Sequence, residues 1–132
     1  MSDHSWNLQQ TIYTLLTGES PSIAGDRIYD DVPQNVTFPY VEIGDGQVIP
    51  DDTSSADEGF SEFIDLHVWS RYRGKKEIKQ IFGQIHAALH GVALSVTGRA
   101  SALSWVRNVR QFLDPDGVTR HGVVTVEVIH RS

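Results

Sequence analysis

Two strand-like runs, residues 103–113 and 118–129, stand either side of Asp114-Pro115-Asp116-Gly117. Proline presets φ early in a turn and glycine accepts positive φ, so these four residues specify a tight reversal. The chain is thereby committed to a long antiparallel hairpin. A hairpin is marginal by itself in water; it needs more strands and a layer that covers its apolar face.

The remaining sequence offers both. In residues 60–70, Ile64, Leu66 and Val68 alternate with Asp65, His67 and Trp69, the period of a strand with one aliphatic face. A helix is expected over residues 75–89, where Ile78, Ile81, Phe82, Ile85, Ala88 and Leu89 form one stripe and His90-Gly91 supplies the stop. Leu8, Ile12, Leu15 and Leu16 predict an earlier helix, capped by Asp3 or Ser5 and ended by Gly18. Shorter strands are expected at residues 27–29, 39–43 and 92–96. Gly44-Asp45-Gly46 reads as a turn, and Gln47-Val48-Ile49 as a brief extension stopped by Pro50. The expected fold is α+β: a mostly antiparallel (mixed) sheet of four to five strands with two main helices on one face. Residues 1–132 form one domain, with a polar loop expected to be mobile at about 46–60.

Composition removes whole classes of function. No cysteine is present, which excludes disulfides, thiolate nucleophiles and cysteine-based metal sites. The opening residues lack a secretory pattern and no apolar run approaches a membrane span, so a soluble chain made in the cytoplasm is expected, without membrane partners. Charge is unevenly spread. Residues 1–70 hold thirteen acidic side chains against Arg27 alone, a net −12, while residues 71–132 hold ten basic against four acidic, a net +6; together they give the overall −6. Such asymmetry can bring complementary surfaces together, or be intermixed by folding.

No constellation of residues carries chemistry. His86 and His90 lie four apart on the second helix, a metal-capable spacing, but without a third ligand or an HExxH pattern. Asp65, His67 and Ser70 suggest a triad, yet Ser70 falls on the opposite strand face and no nucleophile elbow occurs. Paired acids at Asp30-Asp31, Asp51-Asp52 and Asp57-Glu58 lie in turn-rich or polar stretches, where solvated charge is the ordinary state. The only basic cluster is Arg71, Arg73, Lys75, Lys76 and Lys79. It reads first as a solvated helix start; in an acidic protein sequence-specific DNA reading is not expected, and transient contact with passing DNA is the second reading. Trp69 and Trp105 read as core or edge packing residues; Trp6, partly outside the Leu8/Ile12/Leu15 stripe, reads first as core packing and second as a candidate anchor for a partner.

Taken in order, Asp26-Arg27-Ile28-Tyr29-Asp30-Asp31-Val32-Pro33, Phe38-Pro39-Tyr40-Val41, Leu66-His67-Val68-Trp69-Ser70-Arg71 and Leu113-Asp114-Pro115-Asp116-Gly117 resemble the siphophage-type tail-completion, or tail-terminator, family. That family includes prophage and gene transfer agent relatives. The resemblance implies a virion structural protein at the head–tail junction, a hexameric ring that ends tube growth and meets the tail tube and a head-side connector. It implies neither enzyme activity nor a cofactor. Its rivals are a head–tail connector or stopper, a small metal- or ligand-binding module using His67, His86 or His121, and a regulatory binding module. For the ring, the expected partner-contact residues are Asp51, Asp52, Asp57 and Glu58 on the acidic side, and Arg71, Arg73, Lys75, Lys76 and Lys79 on the basic side. In this expectation the loop at Gly46–Phe60 meets a neighbouring copy or the tail tube, with the basic segment Arg71–Lys79 of an adjacent copy as a candidate partner.

Overall fold

The computed structural model describes residues 5–51, 59–99 and 101–131. In chain order these form helix α1 (Ser5–Leu16), a 3-10 turn (Ile23–Asp26), β1 (Ile28–Tyr29), β2 (Tyr40–Asp51), β3 (Gly59–Ser70), helix α2 (Lys76–Leu89), β4 (Val92–Ala93), β5 (Ser101–Leu113) and β6 (Arg120–Arg131). One mixed sheet holds all the strands, in the order β1-β2-β3-β6-β5-β4. Only β1–β2 is parallel; every other pairing is antiparallel.

The alternation in β3 sets the layering. Phe60, Ile64, Leu66 and Val68 are buried beneath the helices, while Ser61, Phe63, Asp65, His67 and Trp69 are half-buried on the outer face. On β6, Val124, Val126 and Val128 continue the inner face. Helix α2 lays Ile78, Ile81, Ile85 and Leu89 on it, and α1 adds Leu8, Ile12 and Leu16 to the same core. Removing such apolar area from water, at about 25 cal/mol per Å2, is the main favourable term.

Two local details fix how α2 sits. Phe82 lies against the Cα of Gly122 so closely that a β-carbon there would collide with its ring and crowd Ile78. At the other end, the buried Ser104 hydroxyl donates to the carbonyls of Leu89 and Val92, satisfying acceptors that the helix terminus leaves open.

The α+β class and the two helices on one face agree with the sequence reading, but the sheet has six strands, not four to five. The short strands expected at 27–29 and 92–96 form as β1 and β4, two residues each, and join the sheet at its two edges, which brings the count among the described residues to six. A larger difference lies in β2. Gly44-Asp45-Gly46 does not turn the chain: the strand continues through a bulge between Ile43 and Gly46, and Pro50 pairs with Phe60. The glycines serve close approach to β3. A β-carbon on Gly44 would stand 2.6 Å from the His67 ring, and one on Gly46 2.8 Å from the Phe63 carbonyl oxygen. The polar segment is therefore shorter than 46–60, since both its flanks are strand; residues 52–58 lie outside the described residues. Asp3, the alternative cap for α1, also lies outside them, and α1 begins at Ser5.

The 114–117 reversal forms as expected. Asp114 N–H donates to Thr119 O, Gly117 N–H to Asp114 O, and Gly117 takes φ +73°. Donation from the Thr119 N–H and hydroxyl and the Val118 N–H lowers the Asp116 carboxyl to about 2.

Gly122→Ala is expected to overpack the Phe82 contact and destabilise the fold by about 1–3 kcal/mol in chemical denaturation.

Candidate interaction surface

The outer face of the sheet carries the side chains that packing does not need. At one end, the strand register sets Tyr40 beside Trp69, Trp69 beside His121 and His121 beside Phe112, one residue from each of β2, β3, β6 and β5. Rings this close across strands stack. Trp69 lies 5.1 Å from Tyr40 and 4.4 Å from His121, nearly parallel to the latter at 9°. Phe112 meets His121 edge-on at 4.9 Å, and Phe38 meets Tyr40 edge-on at 5.1 Å. The Arg71 guanidinium lies 4.1 Å over Phe38, closing the row with a cation. The result is an aromatic belt across the four long strands, with the Arg71 cation at its Phe38 end.

His67 sits one row in, stacked 5.5 Å from Trp69, with its Nδ1 2.8 Å from His121 Nε2. One of these nitrogens must donate and the other accept, so the pair suits at most one imidazolium. Burial first, and the neighbouring His67 second, lower the His121 pKa below the ordinary 6.5. Burial, followed by the Glu42 charge, raises the Tyr40 phenol above its usual value.

The triad-like set is not brought together. Asp65 accepts from the Thr125 hydroxyl at 2.7 Å, His67 pairs with His121, and Ser70, buried on the inner face, donates to Glu77 at 2.7 Å. His86 and His90 do stack, 4.3 Å apart, but His90 Nδ1 accepts the Val106 N–H. Among the described residues no group of three His, Cys, Asp or Glu is arranged to hold a metal. Trp6 is 61% exposed at the start of α1, beside an open cleft of about 420 Å3 whose walls include Asp30, Glu42, Asp45 and Glu62. Trp105 is half-buried against His90.

The residues expected to contact partners fall at two places. Arg71, Arg73, Lys75, Lys76 and Lys79 are all exposed, following the end of β3 and opening α2 beside the aromatic belt. Of these, Arg71 also donates to the Thr119 hydroxyl. Asp51 ends β2 opposite Gly59, the first residue of β3. Asp52, Asp57 and Glu58 lie outside the described residues. The basic segment and Asp51 thus mark opposite ends of one twelve-residue strand, about 36 Å apart at 3.3 Å per residue. Folding keeps the two halves of the chain side by side in the sheet, with β1, β2 and β3 of residues 1–70 on one side and β6, β5 and β4 of residues 71–132 on the other, and leaves these two ends of β3 apart. Sequence reasoning missed the aromatic belt because its members are far apart in the chain; only the register aligns them.

Comparisons with known proteins bear on this surface. The chain matches the family described as tail completion protein gp17 over residues 10–131. No curated protein matches it. Among solved structures, a chain in the virion of a native gene transfer agent particle has the same fold: TM-score 0.87, 17% identity, and complete coverage of both chains.

Because His121 is held below its ordinary pKa, the unfolded chain takes up a proton first as pH falls through 6.5. Stability contributed by the neutral ring is full above that pH and declines below it, down to the lower folded value. Denaturation midpoints between pH 7 and 5 should therefore fall in the natural chain, and fall less in His121→Phe, which keeps a ring between Trp69 and Phe112.

Proposed function

The chain belongs to the tail completion protein gp17 family, and from that premise we propose that it closes the end of a phage-type tail as a ring. A structural role in the tail follows from the family. The finer reading is that copies assemble as a hexamer, stop tube growth and offer a surface to a head-side connector, in a phage, a prophage or a gene transfer agent particle. The fold shared with a chain of a gene transfer agent virion supports this placement.

The observation that carries the reading is the separation of charge along β3. A ring that joins two different partners must present two different faces. This chain has a basic, aromatic end at Arg71–Lys79 and, at the opposite end, Asp51 opposite Gly59, with Arg131 of β6 on the other side of Gly59; the acids Asp52, Asp57 and Glu58 lie outside the described residues. Copies arranged with their strands along the ring axis would place every basic end on one rim and every acidic end on the other. Each rim then recognises its partner by charge, which sets orientation and encounter rate more than affinity. The six described residues of the nine singled out from sequence, Asp51 and the five basic ones, belong to the two rims under this reading. Transient contact with DNA passing through the ring falls to the same basic segment. A connector or stopper on the head side of the same junction is the alternative, and position in the particle separates the two.

Lys75, Lys76 and Lys79 open α2, where the helix dipole disfavours positive charge. Reversing all three to glutamate should leave folding intact, even favoured by about 0.3–1 kcal/mol per site near the terminus. The same variant should fail to restore head–tail joining in producing cells that lack the natural gene. Free heads and free tails by electron microscopy are expected; normal yields of joined particles would contradict the rim assignment.

A further inference from the structure

Both long edges of the sheet are open. On β2, β1 pairs only with Val41 and Glu42; on β5, β4 pairs only with Leu103 and Ser104, and His90 then takes the Val106 N–H. Apart from β3 and β6 on their inward sides, no strand among the described residues pairs with 43–51 of β2 or with 107–113 of β5. Such edges display rows of backbone donors and acceptors that a second chain can pair with.

Exposure agrees. Asp45, Gly46, Gln47, Ile49 and Pro50 are exposed along β2, and α1 does not close over this edge, because the open cleft runs beside it. Along β5, residues 107–110 are consecutively exposed, as are Phe112 and Leu113. Exposed apolar side chains stand at both edges: Ile49 on β2, and Val109, Phe112 and Leu113 on β5. The charges are complementary. Residues 43–51 include Asp45 and Asp51 and no base; residues 107–113 include Arg110 and Arg107, the latter paired with Glu127 at 2.8 Å, and no acid.

We propose that the open edge of β5 in one copy pairs with the open edge of β2 in the next, extending the sheet from subunit to subunit around the ring. This rests on the ring reading above and names the contact that builds it. Direction fits. From β2 through β3 and β6 to β5 every neighbour is antiparallel, so β5 runs opposite to β2. A copy related by rotation about an axis along the strands keeps its direction, and the new pairing is antiparallel as well.

Side-chain facing narrows the register. Val48 pairs with Glu62, and Val109 with Val124, both on the helix-covered face. Gln47 pairs with the half-buried Phe63, and Arg110 with Val123, on the outer face. Setting Val48 opposite Val109 and Gln47 opposite Arg110 keeps each face continuous. Gly46 then meets Gln111, which within one copy is level with Gly122, whereas Gly46 itself is level with Val126. Each step around the ring thus shifts the register by four residues along β6, the kind of stagger that tilts strands in closed barrels. The contact is heterologous, edge to opposite edge, as a closed ring requires. Pro50 lacks an N–H, so it removes a donor only at the far end of the pairing.

The absence of native cysteine makes the test direct. A chain carrying Val48→Cys and Val109→Cys cannot bridge itself: those positions are on strands three places apart in the sheet, about 14 Å at the usual spacing, beyond disulfide reach. Assembled protein, oxidised and run on a denaturing gel without reductant, should give a ladder of its own multimers that collapses on reduction. Each single-cysteine chain should give no ladder. Pairing Val48→Cys with Gln111→Cys covers a two-residue slip and should cross-link in place of the first pair if the register is shifted. Rings seen by microscopy with neither pair cross-linking would overturn edge pairing while leaving the ring reading standing. Cross-links to a different protein would overturn it too, by giving the edge another occupant. Failure to form rings, alone or in particles, would remove both.

Discussion

Burial of the inner face of β3 and β6 beneath α2 is the interaction on which the rest of the molecule depends. Ile78, Ile81, Ile85 and Leu89 meet Leu66, Val68, Val124 and Val126 there, all of them buried. The helix approaches closely because Gly122 leaves room for Phe82. With two helices covering the central strands on one side, the other side, both ends and both edges of the sheet are left for other uses. The aromatic belt, the charged ends and the unpaired strands are those remaining surfaces.

Much of this was legible in the sequence because the signals were local. The Asp114–Gly117 reversal, the alternation around Leu66 and the stripe from Ile78 to Leu89 each lie within a short window, and each formed where expected. The α2 start at Lys76 and the β6 start at Arg120 moved the expected boundaries by one or two residues.

What was not legible depended on partners distant in sequence. Gly44-Asp45-Gly46 and Pro50 have the composition of turn and stop, yet β3 recruits them into a twelve-residue strand, and the glycines are there for the proximity of His67 and Phe63. The strands expected at 27–29 and 92–96 do form, but that each would be two residues long, set by the edge that β2 or β5 offers, was not visible. The belt through Tyr40, Trp69, His121 and Phe112 needs four strands in register before it exists at all. Trp69 was read as packing and does pack, but into a half-buried outer layer rather than the core. The charge asymmetry between the halves was visible; that it resolves into opposite ends of one strand required the fold.

Under the proposed reading these surfaces form one scheme: covered centre, charged ends for two different neighbours, open edges for copies of itself. Its central claim is that the chain is a ring subunit at the end of a tail, and the most direct measurement is a cryo-electron microscopy reconstruction of the head–tail junction in particles from producing cells. The account predicts a closed ring there into which this fold docks, with strands along the ring axis and the Arg71–Lys79 ends all on one rim. A junction of intact particles built from other folds, with this chain elsewhere or missing, would contradict it.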